Sequence, residues 1–386
     1  MLLCAVMVTL AIRIATQTVI HACAIGNKFV KSISIIVKPL YSCNASCMHC
    51  SITNDMPVIL PPSGVSESIK NIVTFAESYS GDTIDEINII LHGGEPMLLD
   101  VSYVNKMVNL LKNSLPLIRC NYSIQTNLLS YAPQWRTLFE KVFEWKASSS
   151  YDFYSSFRKT KNGSDYFTAW YDKVKRYQDD SGRRLYTICV LSRENVDYVE
   201  DIVREAYSCG LNIKLNMLYA AGKAKHMDKS LYITQDEYGN ALIRAYRIWK
   251  TYNDNNFIFV QGNDFENIAI YGKQLGCPYT SSCVGNIFCL LPNGALYQCG
   301  ECADAKQFCY GNAMENKFDI TQIINANTNN IDISEECLDC GICGGGCLLR
   351  RVTECSGKTP YCSTYRKLYK EVKTHDDSVC QTNKCV

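Results

Sequence analysis

Three cysteines stand within eight residues, at Cys43-Asn44-Ala45-Ser46-Cys47-Met48-His49-Cys50. Thiolates are soft metal ligands, and spacings of three and two residues let one loop bring three sulfurs to a single centre. The count is informative. A [4Fe–4S] cluster normally takes four thiolates, so one held by three keeps an iron open to a substrate or cofactor. Zinc, with His49 as fourth ligand, is the alternative, but His49 adjoins Cys50 and its ring is poorly placed for the same tetrahedron.

A second set lies far downstream. Cys277, Cys283 and Cys299 are followed by Cys337-x2-Cys340-x2-Cys343-x3-Cys347 and then Cys362, with Cys289 and Cys355 as nearest rivals. Pro292-Asn293-Gly294 between apolar runs reads as a hairpin turn, with Cys299 at the end of the returning strand. Cys-x2-Cys pairs also occur in structural zinc knots. The chain holds 22 cysteines in 386 residues, 14 of them beyond position 276. A chain of this length buries a large core without disulfide staples. Clusters flanking a cysteine-poor middle therefore point to metal sites on a scaffold.

The elements that position these groups alternate. Strand-like runs fall at 32–37, 86–91, 120–125, 146–151, 185–191 and 212–218, and helical periodicity at 66–79, 101–115, 134–144, 167–178 and 196–208. Such alternation predicts a parallel sheet with crossover helices. Six units are too few for a closed eight-unit barrel, so the expected fold is α/β, a partial (β/α)6 TIM-like barrel. One longer helix spans 234–252; beyond it periodic helices stop and cysteines and glycines take over. The expected division is an N-terminal segment at 1–30, a core at 31–222, a helical linker at 223–275 and a metal-organised domain at 276–386. Residues 2–12 form an apolar run too short to span a bilayer, with no basic region before it. The formal charge of +1 gives no electrostatic case for nucleic-acid or membrane-surface binding.

CxxxCxxC after the first strand resembles the signature of the radical S-adenosylmethionine (SAM) superfamily. His92-Gly93-Gly94-Glu95-Pro96, closing the second strand, is similar to that family's GGEP element. Ile124-Gln125-Thr126-Asn127 resembles its strand-three motif, and Ser150 with Arg158 stands where relatives contact the SAM carboxylate. Asp152-Phe153-Tyr154 departs from the usual Asp-Gly-Pro. The C-terminal cysteines, with Gly311-Asn312, look like the SPASM extension, although two residues separate Cys340 from Cys343 where five are typical.

The resemblance implies three [4Fe–4S] clusters: one on Cys43, Cys47 and Cys50, one on Cys277, Cys283, Cys299 and Cys347, and one on Cys337, Cys340, Cys343 and Cys362. SAM would chelate the open iron, with His92, Gly93, Gly94, Glu95, Pro96, Asn127, Ser150 and Arg158 around it. Its cleavage to a 5′-deoxyadenosyl radical would start hydrogen abstraction from a ribosomally made peptide, ending in a thioether or carbon–carbon crosslink. Sulfatase maturation to formylglycine is an alternative. In that branch an acidic residue follows the third cysteine directly, whereas Gly300 here precedes Glu301, the candidate catalytic acid. A small-molecule radical SAM enzyme and a non-catalytic iron–sulfur or zinc adaptor are further readings. About 40 residues precede Cys43, too few for a typical leader-recognition domain, so a peptide would dock on the core, the extension or a separate leader-recognition protein. An electron donor such as flavodoxin or ferredoxin and a cytoplasmic location also follow from the resemblance.

Overall fold

The computed structural model describes residues 31–52, 57–272, 276–280, 283–321, 340–343, 345–353 and 359–382. The N-terminal segment 1–30 and Cys337, Cys355 and Cys385 lie outside the described residues.

All six expected strands form. β1 (Ser32–Val37), β2 (Glu86–Leu91), β3 (Arg119–Gln125), β4 (Ala147–Ser150), β5 (Leu185–Leu191) and β6 (Leu211–Met217) pair parallel, each with its successor. Period-2 patterning drives this: Ile33, Ile35 and Val37 of β1 and Ile87, Ile89 and Leu91 of β2 are buried while their neighbours are not. Helices α1 (Pro62–Ser80), α2 (Val101–Ser114), α3 (Pro133–Lys141), α4 (Tyr166–Ser181) and α5 (Val199–Ser208) make the crossovers. Their ends follow local chemistry. Asp100 and Asp165 cap α2 and α4 through their carboxylates, and Gly81 and Gly182 end α1 and α4 in the left-handed region.

α3 stops three residues short of the expected end. Glu144 and Trp145 both adopt positive φ (49° and 60°) and turn the chain into β4. α6 (Gln235–Thr251) starts with a Thr234/Glu237 capping box. Two further long helices, at Val260–Tyr271 and Cys362–Thr382, correct the expectation that periodic helices stop there. In α7 (Val260–Tyr271) the buried face holds Gln261 and Gly262 beside Phe265 and Ala269, so no apolar stripe marks it. A Cβ on Gly262 would come 3.0 Å from the Trp249 ring, so glycine is what admits α6 so closely.

The sheet continues past the barrel. β7 (Ile287–Leu290) pairs parallel with β1 on the side away from β2, and β8 (Ala295–Tyr297), β9 (Cys309–Asn312) and β10 (Lys317–Phe318) extend it antiparallel. The ten strands run in the order β10-β9-β8-β7-β1-β2-β3-β4-β5-β6. The short α8 (Gly300–Ala305) sits between β8 and β9, α9 (Leu348–Thr353) follows Cys347, and α10 (Cys362–Thr382) packs on α6 and α7.

Candidate active site

The cysteine loop leaves β1 at its C-terminal end, the end that carries function in parallel barrels. Two segments hold its backbone. On one side it runs antiparallel to residues 157–161: Ser46 N donates to Lys159 O (2.8 Å), Met48 N to Phe157 O (2.8 Å) and Lys161 N to Asn44 O (3.1 Å). On the other side the end of β2 closes on residues 40–42, with Gly94 N donating to Leu40 O (3.0 Å) and Glu95 N to Ser42 O (2.9 Å). A Cβ on Gly94 would lie 2.2 Å from both the Tyr41 and Ser42 carbonyl oxygens, and Gly93 holds φ +127°. The close approach these glycines permit is to the cysteine loop itself.

Glu95 is fully buried. Its carboxylate accepts from Met97 N (2.9 Å), Thr126 Oγ1 (2.6 Å) and Asn127 N (2.7 Å), which ties the β2 end to the β3 end. Burial pushes its pKa up to about 7 against the pull of those donors. Asn127 passes the connection on, donating to Asn44 Oδ1 (2.6 Å) and Cys43 Sγ (3.6 Å). The Ser150 hydroxyl accepts from Gln125 Nε2 (3.2 Å).

Arg158 is not free. It ion-pairs through Nε with Asp152 Oδ2 (2.8 Å), and His49 Nε2 meets the same oxygen at 3.2 Å. Asp152 is buried and also accepts from Val190 N of β5 (2.8 Å). His49 Nε2 is thereby engaged away from the thiols, and its Nδ1 is buried without a hydrogen-bond partner. Burial lowers the His49 pKa to about 4, so the ring is neutral.

Cys43, Cys47 and Cys50 converge. Burial raises the Cys43 thiol to about 11, and the charges of Cys47 and Cys50 push in the same direction. Burial also raises Cys47, while the Arg158 guanidinium pulls it down. Three soft, half-buried donors that sense one another from one loop fit a three-thiolate cluster. The downstream cysteines group likewise. Cys277 senses Cys347 and Cys299, and Cys283 senses Cys277, Cys347 and Cys299. A fifth thiol, Cys302, joins them, with Sγ 3.4 Å from Cys299 Sγ. In the other expected foursome, Cys343 acts on the Tyr365 hydroxyl, in the first turn of the helix that starts at Cys362; Cys340 and Cys362 are half-buried. Among the described residues no three His, Cys, Asp or Glu side chains close on a single-ion site.

Between the barrel mouth and the cysteine-rich region lies a cavity of about 320 Å³. Its walls include Met217 at the end of β6, Tyr219 just beyond it, Glu301 of α8, Arg350 of α9 and Tyr361. Arg350 Nη2 donates to Glu301 Oε2 (3.0 Å), and its guanidinium lies 4.2 Å from the Tyr219 ring centre. Next to it Lys38, 2% exposed, meets Asp304 Oδ1 of α8 at 2.6 Å, and Ser51 Oγ donates to Asp304 Oδ2 (2.7 Å). Sequence reasoning missed Lys38, Asp304, Arg350 and Cys302. The one available signal was Lys38 itself, a charge directly after an all-apolar strand end.

No family model matches the chain. A serine-type anaerobic sulfatase-maturating enzyme from Klebsiella aerogenes is 21% identical over 358 residues, covering 88% of this chain and 84% of that protein. An uncharacterised protein of Methanothermobacter thermautotrophicus is 22% identical over 213 residues, 54% of this chain and 76% of its own length. Among solved structures, native anSMEcpe with bound AdoMet and the Kp18Cys peptide superposes with TM-score 0.71 at 18% identity, covering 91% of this chain and 99% of that one. This is the fold of the SPASM-type radical SAM enzymes. Streptococcus suis SuiB bound to its precursor peptide SuiA shares it with TM-score 0.57 at 11% identity, over 86% and 76% of the two chains. In this chain the cysteine loop and the β2, β3 and β4 ends lie together at one end of the parallel strands. Among the described residues no helix is long and apolar enough to cross a membrane.

Proposed function

We propose that this chain is a radical SAM maturase acting on a ribosomally made peptide or protein. The observation that carries the reading is the cavity walled by the barrel mouth on one side and by Glu301 and Arg350 on the other. It offers a substrate segment a place near the cysteine loop, since Lys223 N, two residues past the wall residue Ala221, donates to Cys50 O (2.9 Å). When bound, a cluster and SAM supply reductive cleavage to a 5′-deoxyadenosyl radical that removes a substrate hydrogen atom.

The rest falls to the chain's own groups. Cys43, Cys47 and Cys50 would hold the cluster. His92 to Pro96, Asn127, Ser150 and Arg158 surround the SAM position; Glu95 acts there by fixing the backbone, since its own oxygens are occupied. Arg158, oriented by Asp152, would pair with the SAM carboxylate. Glu301 on the cavity wall takes the substrate proton, and Arg350, donating to its Oε2, fixes where the carboxylate stands. Cys277, Cys283, Cys299 and Cys347 hold one auxiliary cluster, and Cys337, Cys340, Cys343 and Cys362 the other. A thioether or carbon–carbon crosslink is the product, an external flavodoxin or ferredoxin the electron source, a separate protein the leader reader, and the cytoplasm the location.

Formylglycine formation is the second reading. It is favoured by Glu301, which reaches the cavity although Gly300 separates it from Cys299.

The test is anaerobic reconstitution followed by dithionite and SAM. The wild-type chain should bind about 12 Fe and release 5′-deoxyadenosine, and Cys47→Ala should release none. Equal release from the two proteins would sink the reading. With a Cys- or Ser-containing substrate peptide, an aldehyde reagent labels formylglycine and leaves a crosslink untouched.

A further inference from the structure

The first auxiliary group contains one thiol more than a four-ligand site takes. Cys302 is 2% exposed and lies in α8, three residues after Cys299, the residue that caps that helix. The two sulfurs stand 3.4 Å apart, and Cys302 N donates to Cys299 Sγ at 3.5 Å. Cys347 and Cys283 also act on the Cys302 thiol, so it faces the same centre. Buried cysteines often serve only as small hydrophobes. This one meets another sulfur. Sulfurs in contact cannot each bind a separate corner of a cubane without parting, so a cluster held by Cys299 leaves Cys302 over. With no cluster, nothing lies between them.

We infer that Cys299 and Cys302 close a reversible disulfide when the first auxiliary site holds no cluster, and that this bond bars cluster insertion until it is reduced. The inference rests on reading Cys299 as a ligand of that site. The oxidant is a small disulfide such as oxidised glutathione. Cys299 is the more exposed of the pair and reacts first: its thiolate attacks the oxidant and expels one glutathione thiolate. The Cys302 sulfur then attacks the Cys299 sulfur of the mixed disulfide and expels the second. One disulfide is consumed and one is formed, and the two thiol protons end on the two glutathiones. The sulfurs need to close only from 3.4 Å to about 2.05 Å, a side-chain rotation within one helical turn.

The experiment uses the full-length chain, prepared anaerobically without iron, treated with oxidised glutathione, alkylated and digested for mass mapping. The peptide containing both residues should carry an internal disulfide and no alkyl group. Iron and sulfide added without a thiol reductant should then load about 4 Fe fewer per chain than after dithiothreitol. In Cys302→Ala that reductant-dependent difference should shrink by about 4 Fe. Alkylation of both residues after the oxidant would overturn the inference. So would a loss of about 4 Fe from Cys302→Ala under full reduction, which would make Cys302 a ligand. Cys299→Ala under full reduction tests the underlying reading separately. Full iron there would remove Cys299 from the ligand set and overturn the gating claim, whatever the map of the pair shows.

Discussion

Asp152 gathers three partners around one buried carboxylate: His49 from the cysteine loop, Arg158 from the segment paired with that loop, and Val190 N from β5. Removing one partner of a buried pair leaves the other charge uncompensated, at a cost of about 3 to 5 kcal/mol. Asp152→Asn should therefore lower unfolding stability by about 3 kcal/mol in urea titration and reduce the iron retained by the triad. An unchanged midpoint with full iron would show that the loop is held without it. Glu95 carries a pH signature of its own. Its folded pKa is raised from 4.5 to about 7 by burial, so the folded chain keeps a proton that the unfolded chain releases. Stability present below the unfolded value is thus lost as pH rises through about 7, by up to about 3 kcal/mol. Urea midpoints taken from about pH 5 to about pH 8 should fall in the wild-type chain, and that slope should flatten in Glu95→Gln.

At the scale of elements, the β2 end and the loop after β1 act as one piece because Gly94 has no side chain. A methyl there would sit 2.2 Å from two carbonyl oxygens of residues 41 and 42, and backbone on both sides cannot yield cheaply. Gly94→Ala should keep its far-ultraviolet dichroism, since the strands are fixed by their buried alternation, yet lose about 4 Fe on reconstitution. Full iron would mean that the loop relocates without harm. The six parallel strands were legible because period-2 burial is written directly into 33–37 and 87–91, and the grouping of Cys43, Cys47 and Cys50 because the three are close in sequence. What could not be read depends on distant packing. α7 buries Gln261 and Gly262 and so shows no stripe. The 46-residue gap between Ile213 and Phe259 hides a bridge that only the folded barrel reveals. The Asp152 junction joins β4, β5 and the cysteine loop, and no spacing rule relates Asp152 to His49. Arg158 was found by resemblance, but its pairing was not.

For the whole molecule, the question is what fixes the cysteine-rich region over the barrel mouth. β7 anchors it to the sheet through β1, and one buried charge pair anchors α8 above: Lys38 beyond β1 against Asp304, with Ser51, next to Cys50, on the other carboxylate oxygen. α8 also carries Glu301 to the cavity and begins beside Cys299, so this pair sets how the candidate acid and an auxiliary ligand stand relative to the triad. A buried pair adds little net stability, because desolvation offsets the attraction, but breaking it costs about 3 to 5 kcal/mol. Lys38→Met and Asp304→Leu should each destabilise the chain by that order, and the double variant should recover most of the loss, since no charge is then stranded. The double variant thus separates stability from placement. It should load full iron and release 5′-deoxyadenosine near the wild-type rate, because the triad and its supports are intact. Substrate modification per 5′-deoxyadenosine released should drop about tenfold, because α8 is now held by apolar contact without a fixed register, and a loss of order 1.4 kcal/mol in alignment gives that factor. Undiminished coupling in a double variant of near-native stability would show that the pair only fills space between the two regions, and that β7 alone sets the geometry of the cavity.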